Sequence, residues 1–149
     1  MSLQEKVMQE LKTAMKTKDQ VSLESLRAIK SALLLAQTEK GAGGAISEQE
    51  ELKILQKLVK QRKDSAAIFQ EQGREDLAAP ELAQAAVIEK FLPKQLSEEE
   101  IEEVVDRVIS QTGATDMKDM GKVMGMATKE LAGKADGKTI SGIVRKKLA

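Results

Sequence analysis

The chain contains no histidine, cysteine, tryptophan or tyrosine. Histidine is the commonest general base near neutral pH, and with cysteine it supplies the softer metal ligands. Without them only carboxylates, lysine, arginine, serine and threonine remain as catalytic candidates. No disulfide frame or thiol chemistry can exist, and no metal or other cofactor is expected; a cytoplasmic setting suits such cysteine usage. The only aromatic residues are Phe69 and Phe91. Sheets draw on aromatic and β-branched side chains, so an all-α protein is predicted. No apolar run approaches the roughly 20 residues of a membrane span. Nor does a basic start lead into an apolar segment and a small-residue cleavage site, so neither a membrane partner nor a secretory leader is expected. Charge is balanced at 24 cations and 24 acids. Any nucleic-acid binding must therefore come from local patches rather than a global field.

What the sequence does contain is helical pattern and clear helix boundaries. Its 149 residues are 41% hydrophobic and 32% charged, a globular rather than a disordered composition. Ser47-Glu48-Gln49-Glu50 and Ser97-Glu98-Glu99-Glu100 both read as capping boxes, in which serine and glutamate exchange bonds with the opposing backbone N–H groups. Just before the second box stands Phe91-Leu92-Pro93. Proline lacks a backbone N–H and disfavours helix in the residue before it, so one helix stops there and another starts at Ser97. This boundary predicts a four-helix, bundle-like domain over residues 1–93 and a smaller three-helix domain over 94–149.

Within the first part, Leu3, Val7, Leu11 and Met15 recur every four residues and predict one apolar stripe. Asp19 caps the second helix, and Gly41–Ala45 reads as a flexible loop. The longest helix follows Ser47, with Gly73 at its end. Pro80 is placed in the first turn of the fourth helix, where proline is tolerated. In the second part, the fifth helix ends at Gly113. The sixth runs from about Thr115 to Gly133 with Met117, Met120, Met124 and Met126, mostly in the core. A final helix carries Ile140, Ile143, Val144 and Leu148.

Two basic regions are candidate phosphate-contacting surfaces. One is the stripe Lys53, Lys57, Lys60 and Lys63, with Arg62 beside it. A solvated helix face offset by Glu48, Glu50 and Glu51 is the plainer alternative. The other is the C-terminal half. Residues 93–114 hold two cations against six acids, and residues 115–149 hold eight cations against four acids. Lys118, Lys122, Lys129, Lys134, Lys138, Arg145, Lys146 and Lys147 form a patch for phosphates, or else pair with the acidic fifth helix. Gly121 and Gly125 lie one turn apart inside the sixth helix. Each glycine costs about 1 kcal/mol there, so a close approach by another helix or by a ligand is expected. Gly137-Lys138-Thr139 is no phosphate-binding loop, because position 132 is alanine and no strand precedes it. Arg74-Glu75-Asp76 with Glu81 offers no acid–base pair. No active site is identified.

Several linked motifs resemble the stand-alone YqeY family nearly end to end. They are Leu26-Arg27, Lys60-Gln61-Arg62-Lys63-Asp64-Ser65, Gly73-Arg74-Glu75-Asp76-Leu77-Ala78, Phe91-Leu92-Pro93-Lys94-Gln95-Leu96, Asp119-Met120-Gly121-Lys122-Val123-Met124 and Gly133-Lys134-Ala135-Asp136-Gly137. The family usually carries more glutamates in the fourth helix, where this chain has Gln84 and Ala85. If those acids hold the two halves together, the departure loosens that interface. The C-terminal half is similar to the tail domain of GatB, a subunit of the glutamine-dependent amidotransferase acting on misacylated tRNA. Similar domains are fused to some glutaminyl-tRNA synthetases. The resemblance implies a tRNA-associated accessory module, with tRNA as partner. The alternative is an adaptor docking a tRNA synthetase or an amidotransferase subunit through the methionine-rich helix. Carbon–nitrogen ligase activity with glutamine as amide donor describes the relative, whose catalytic parts have no counterpart here.

Overall fold

The computed structural model describes residues 1–41 and 43–149; Ala42, in the expected glycine loop, lies outside them. The fold is all-α, with no strand among the described residues. In order the helices are α1 (Leu3–Thr17), α2 (Gln20–Lys40), α3 (Glu48–Glu71), α4 (Glu75–Glu89), α5 (Glu98–Thr112), α6 (Met120–Glu130) and α7 (Gly137–Leu148). They group into two compact units, Met1–Leu92 and Pro93–Ala149.

The first unit is built on Val7, Leu11 and Ala14 of α1, Leu23, Leu26, Ile29 and Leu33 of α2, Leu55 and Val59 of α3, and Ala85 and Ile88 of α4. The stripe expected on α1 is corrected at its end: Ala14 is buried and Met15 is 57% exposed. Steps of four residues overshoot one helical turn by about 40° each. A stripe spaced only in fours therefore drifts off the core, and the chain returns to it with a step of three. Capping follows the side-chain chemistry. Asp19 accepts from the Ser22 N–H at 3.1 Å, and both expected capping boxes are present.

Pro80 is a second correction. Arg74 occupies the N-cap and α4 begins at Glu75, so Pro80 stands sixth in the helix and not in its first turn. The Arg74 guanidinium grips the Asp76 carboxylate with two bonds of 3.0 Å, which starts the helix early. The proline then removes the bond its N–H would give to the Asp76 carbonyl.

The fourth-helix residues that depart from the family pattern are both used inside this unit. Ala85 is in the core, at 1% exposure. The Gln84 amide bridges three helices: it accepts from Arg62 Nε at 3.0 Å and donates to Glu24 Oε2 at 2.9 Å. An amide can accept from a guanidinium and donate to a carboxylate at once, which an ionised carboxylate cannot. Gln84→Glu should therefore set two carboxylates against each other and lower stability by about 1–2 kcal/mol in urea denaturation at pH 7. The loss should shrink at about pH 4, where a carboxyl can regain a proton.

In the second unit, Pro93–Leu96 is a non-helical lead-in held to the turn after α6. The Leu96 N–H donates to the Lys134 carbonyl at 3.0 Å, and Gln95 Nε2 donates to the Gly133 carbonyl at 2.6 Å. Ile101, Val105 and Val108 of α5 pack with Val123 and Ala127 of α6, Leu131, and Ile140, Val144 and Leu148 of α7. The sixth helix begins later than expected. The Asp116 carboxylate accepts from the Lys118 N–H at 2.9 Å, and the Asp119 carboxylate from the Thr115 N–H at 3.0 Å. These local bonds compete with helix and hold Met117–Asp119 as a single 3-10 turn.

Hydrogen bonds to the charged form also link stability to pH. The Ser22 hydroxyl and N–H hold the Asp19 carboxyl below its usual range, Lys40 does so for Glu50, Arg74 for Asp76, and the Ser97 N–H and hydroxyl for Glu100. A carboxyl depressed in the folded state stabilises it fully above its unfolded pKa, and that contribution is lost as pH falls through the folded value. Thermal melts should show a level Tm above about pH 5 and a steady fall from there to about pH 3.

Candidate nucleic-acid interface

The basic residues of the second unit are separated from its acids by the way its helices are capped and paired. Residues 115–149 contain four acids. Asp116, Asp119 and Asp136 bond to backbone N–H groups, Asp136 to that of Thr139 at 2.7 Å. Glu130 pairs with Arg107 of α5 at 2.6 Å. None of the four pairs with a cation of its own segment. Among the described residues, Asp106 is the one acid of α5 that reaches back, to Lys147 at 3.3 Å. Lys118, Lys122, Lys129, Lys134, Lys138, Arg145 and Lys146 are all exposed and, among the described residues, have no carboxylate within ion-pairing distance. Wholesale pairing with the acidic helix is thus limited to one lysine of the eight.

Helical geometry says where these cations point. At 100° per residue, Lys122 and Lys129 lie within about 20° of each other on α6, and about 80–100° from Glu130, which marks the flank turned to α5. On α7, Lys138 and Arg145 also lie within about 20° of each other, on the side opposite Lys147. Buried Val123 and Ala127 of α6 and Ile140, Val144 and Leu148 of α7 occupy the inner faces. Lys122, Lys129, Lys138 and Arg145 therefore take the outer faces of α6 and α7, away from α5.

The glycines require a correction. Gly121 and Gly125 are exposed, and a Cβ built on either would meet no atom within 4 Å. Among the described residues no helix packs closely there, because both positions lie outside the buried Val123–Ala127 face. Gly142 of α7, not singled out in the sequence, is equally open. It stands four residues after Lys138 and three before Arg145, as Gly125 stands three after Lys122 and four before Lys129. That repeated spacing was readable in the sequence once the helix bounds were known. Each pair of cations thus flanks bare backbone.

The first-unit stripe is less available. Lys60 pairs with Asp64 at 3.1 Å and Lys63 with Glu89 at 2.6 Å, while half-buried Arg62 is bound to Gln84 and to the Leu58 carbonyl. Among the described residues, Lys53 and Lys57 make no ion pair. Of the methionines, Met120 and Met124 pack on the second core, while Met117 and Met126 are 43% and 41% exposed. No group of three or more carboxylates is placed to hold a metal ion among the described residues.

The chain is thus all-helical, with a C-terminal unit of balanced charge in which the basic residues are segregated from the acidic ones. Comparison with known proteins agrees on the family: residues 4–148 match the family described as Yqey-like protein, and the chain belongs to it. It is 37% identical over 109 residues to Altered inheritance of mitochondria protein 41, mitochondrial, of Clavispora lusitaniae, covering 72% of this chain and 62% of that one. The protein of the same name from Meyerozyma guilliermondii is 36% identical over 126 residues, covering 78% and 62%. The chain thus spans 62% of the length of these two relatives. It is also 40% identical over 84 residues to a subunit of the glutamyl-tRNA(Gln) amidotransferase of Thermococcus gammatolerans, covering 54% of this chain and 13% of that protein.

Proposed function

We propose that this chain is a tRNA-associated accessory module that holds folded RNA by its phosphate backbone, through the outer faces of α6 and α7. The observation that carries this reading is the set of seven exposed cations that, among the described residues, have no carboxylate partner in a unit that also contains acids. Cations left unpaired in this way are free to replace the counterions of a polyanion. The near absence of aromatic residues favours grip by shape and charge over reading of unstacked bases, which needs stacking platforms. Similarity to a segment of a protein named for glutamyl-tRNA(Gln) supports tRNA as the polyanion.

The test is to add bulk tRNA to the full chain and follow backbone amide shifts. Changes confined to α6, α7 and their connecting turn are expected. No binding at about 50 mM salt, or changes centred on α3, would overturn the assignment. A second reading, docking of a tRNA synthetase or amidotransferase subunit, draws on the exposed Met117 and Met126, since methionine suits adaptable contact surfaces. Under that reading Met126→Glu abolishes partner capture and leaves tRNA binding intact.

A further inference from the structure

Apart from the basic helices, the first unit contains a cleft of about 430 Å³, a size suited to small ligands. Three elements form it: the start of α1, the first two turns of α3, and the residues just after α4. Glu48, Glu51, Leu52 and Leu55 follow i, i+3, i+4, i+7 spacing and so line it with one face of α3. Leu55 is buried and Phe91 packs on the unit's core, giving the cleft an apolar floor.

The charges around that floor are of both signs. Lys6 and Lys90 line the cleft together with Glu48 and Glu51, and none of the four forms an ion pair among the described residues. Elsewhere in the same unit Lys40 pairs with Glu50, Lys60 with Asp64, Lys63 with Glu89 and Arg74 with Asp76. The cleft is thus a place where both signs converge on apolar surface without neutralising each other. Burial raises the Glu51 carboxyl above its usual range, and the neighbouring Glu48 charge adds to this. A cation set between the two carboxylates would relieve both effects.

We propose that this cleft binds a small zwitterion with an apolar body, the chemistry of a free α-amino acid. Its ammonium group lies between Glu48 and Glu51, its carboxylate faces Lys6 and Lys90, and its side chain rests on Leu52, Leu55 and Phe91. A simple anion would meet two carboxylates, and a simple cation the two lysine ammonium groups and that of Met1; a ligand carrying both charges complements both sides of the wall. This site is separate from the RNA-binding reading and does not depend on it.

The experiment titrates the full chain with L-leucine, N-acetyl-L-leucine and L-leucinamide, following backbone amide shifts. L-Leucine should shift residues of the cleft with a Kd in about the millimolar range. The acetylated and amidated forms, each lacking one charge, should bind about tenfold more weakly or worse. Glu51→Gln and Lys90→Gln should each weaken L-leucine by a similar factor. Equal binding of the three compounds, or no shift with L-leucine up to about 20 mM, would overturn the proposal. The comparison of ligands uses the unaltered chain, so it decides the matter even if a variant folds poorly.

Discussion

Ile140→Ala is expected to strip the second unit of most of its stability and weaken RNA binding, although it removes no charge. Ile140 is 1% exposed, at the centre of the cluster that joins α5, α6 and α7. Removing a buried isoleucine side chain to alanine costs about 2–5 kcal/mol, depending on how far the cavity collapses. At about 0.05–0.15 kcal/mol per residue, a unit of this size holds only roughly 3–8 kcal/mol in total. The substitution therefore removes most of that margin. The first unit has a core of its own, built on α1–α4, and should stay folded. Urea denaturation followed by circular dichroism should show the α5–α7 signal lost at low denaturant and the remaining helices melting later. One cooperative transition for all seven helices would contradict separate cores.

The second large effect is on affinity. Lys122→Glu combined with Lys146→Glu should weaken tRNA binding about a hundredfold at about 100 mM salt, because two phosphate contacts are lost and two repulsions gained. Both side chains are exposed and unpaired, so the fold should be unchanged. The control is Lys60→Glu with Lys63→Glu. Those lysines already face Asp64 and Glu89, and their reversal should move affinity by less than about threefold. A double variant at 122 and 146 that binds as tightly as the natural chain would remove the second unit from the interface. A strong effect at 60 and 63 would move the interface to α3.

Much of this architecture was legible because its signals are local. Capping boxes, a proline after an apolar turn and heptad-like spacing depend only on neighbours in sequence, and the chain follows them at Ser47, Ser97 and Asp19. The errors came where side chains compete with the backbone or where periodicity drifts. Arg74 and Asp76 begin α4 ahead of Pro80, Asp116 and Asp119 turn the start of the sixth helix into a 3-10 turn, and Met15 drifts off the core. Charge counts along residues 93–149 showed an acidic and a basic half, but not which cations would be neutralised. That depends on the partners of Lys147 and Glu130, which lie on other helices. The cleft of the first unit was illegible for the same reason, since Lys6, Glu51 and Lys90 meet only through packing.

The central claim, that unpaired cations of α6, α7 and their adjoining turns grip RNA phosphates, is tested most directly by the salt dependence of tRNA binding to the full chain between about 50 and 200 mM. If about five of the seven unpaired cations displace counterions, log K should fall linearly with log salt at a slope of about −4. Lys122→Glu should make that slope shallower by about one. A slope near zero, or one that Lys122→Glu leaves unchanged, would contradict the account.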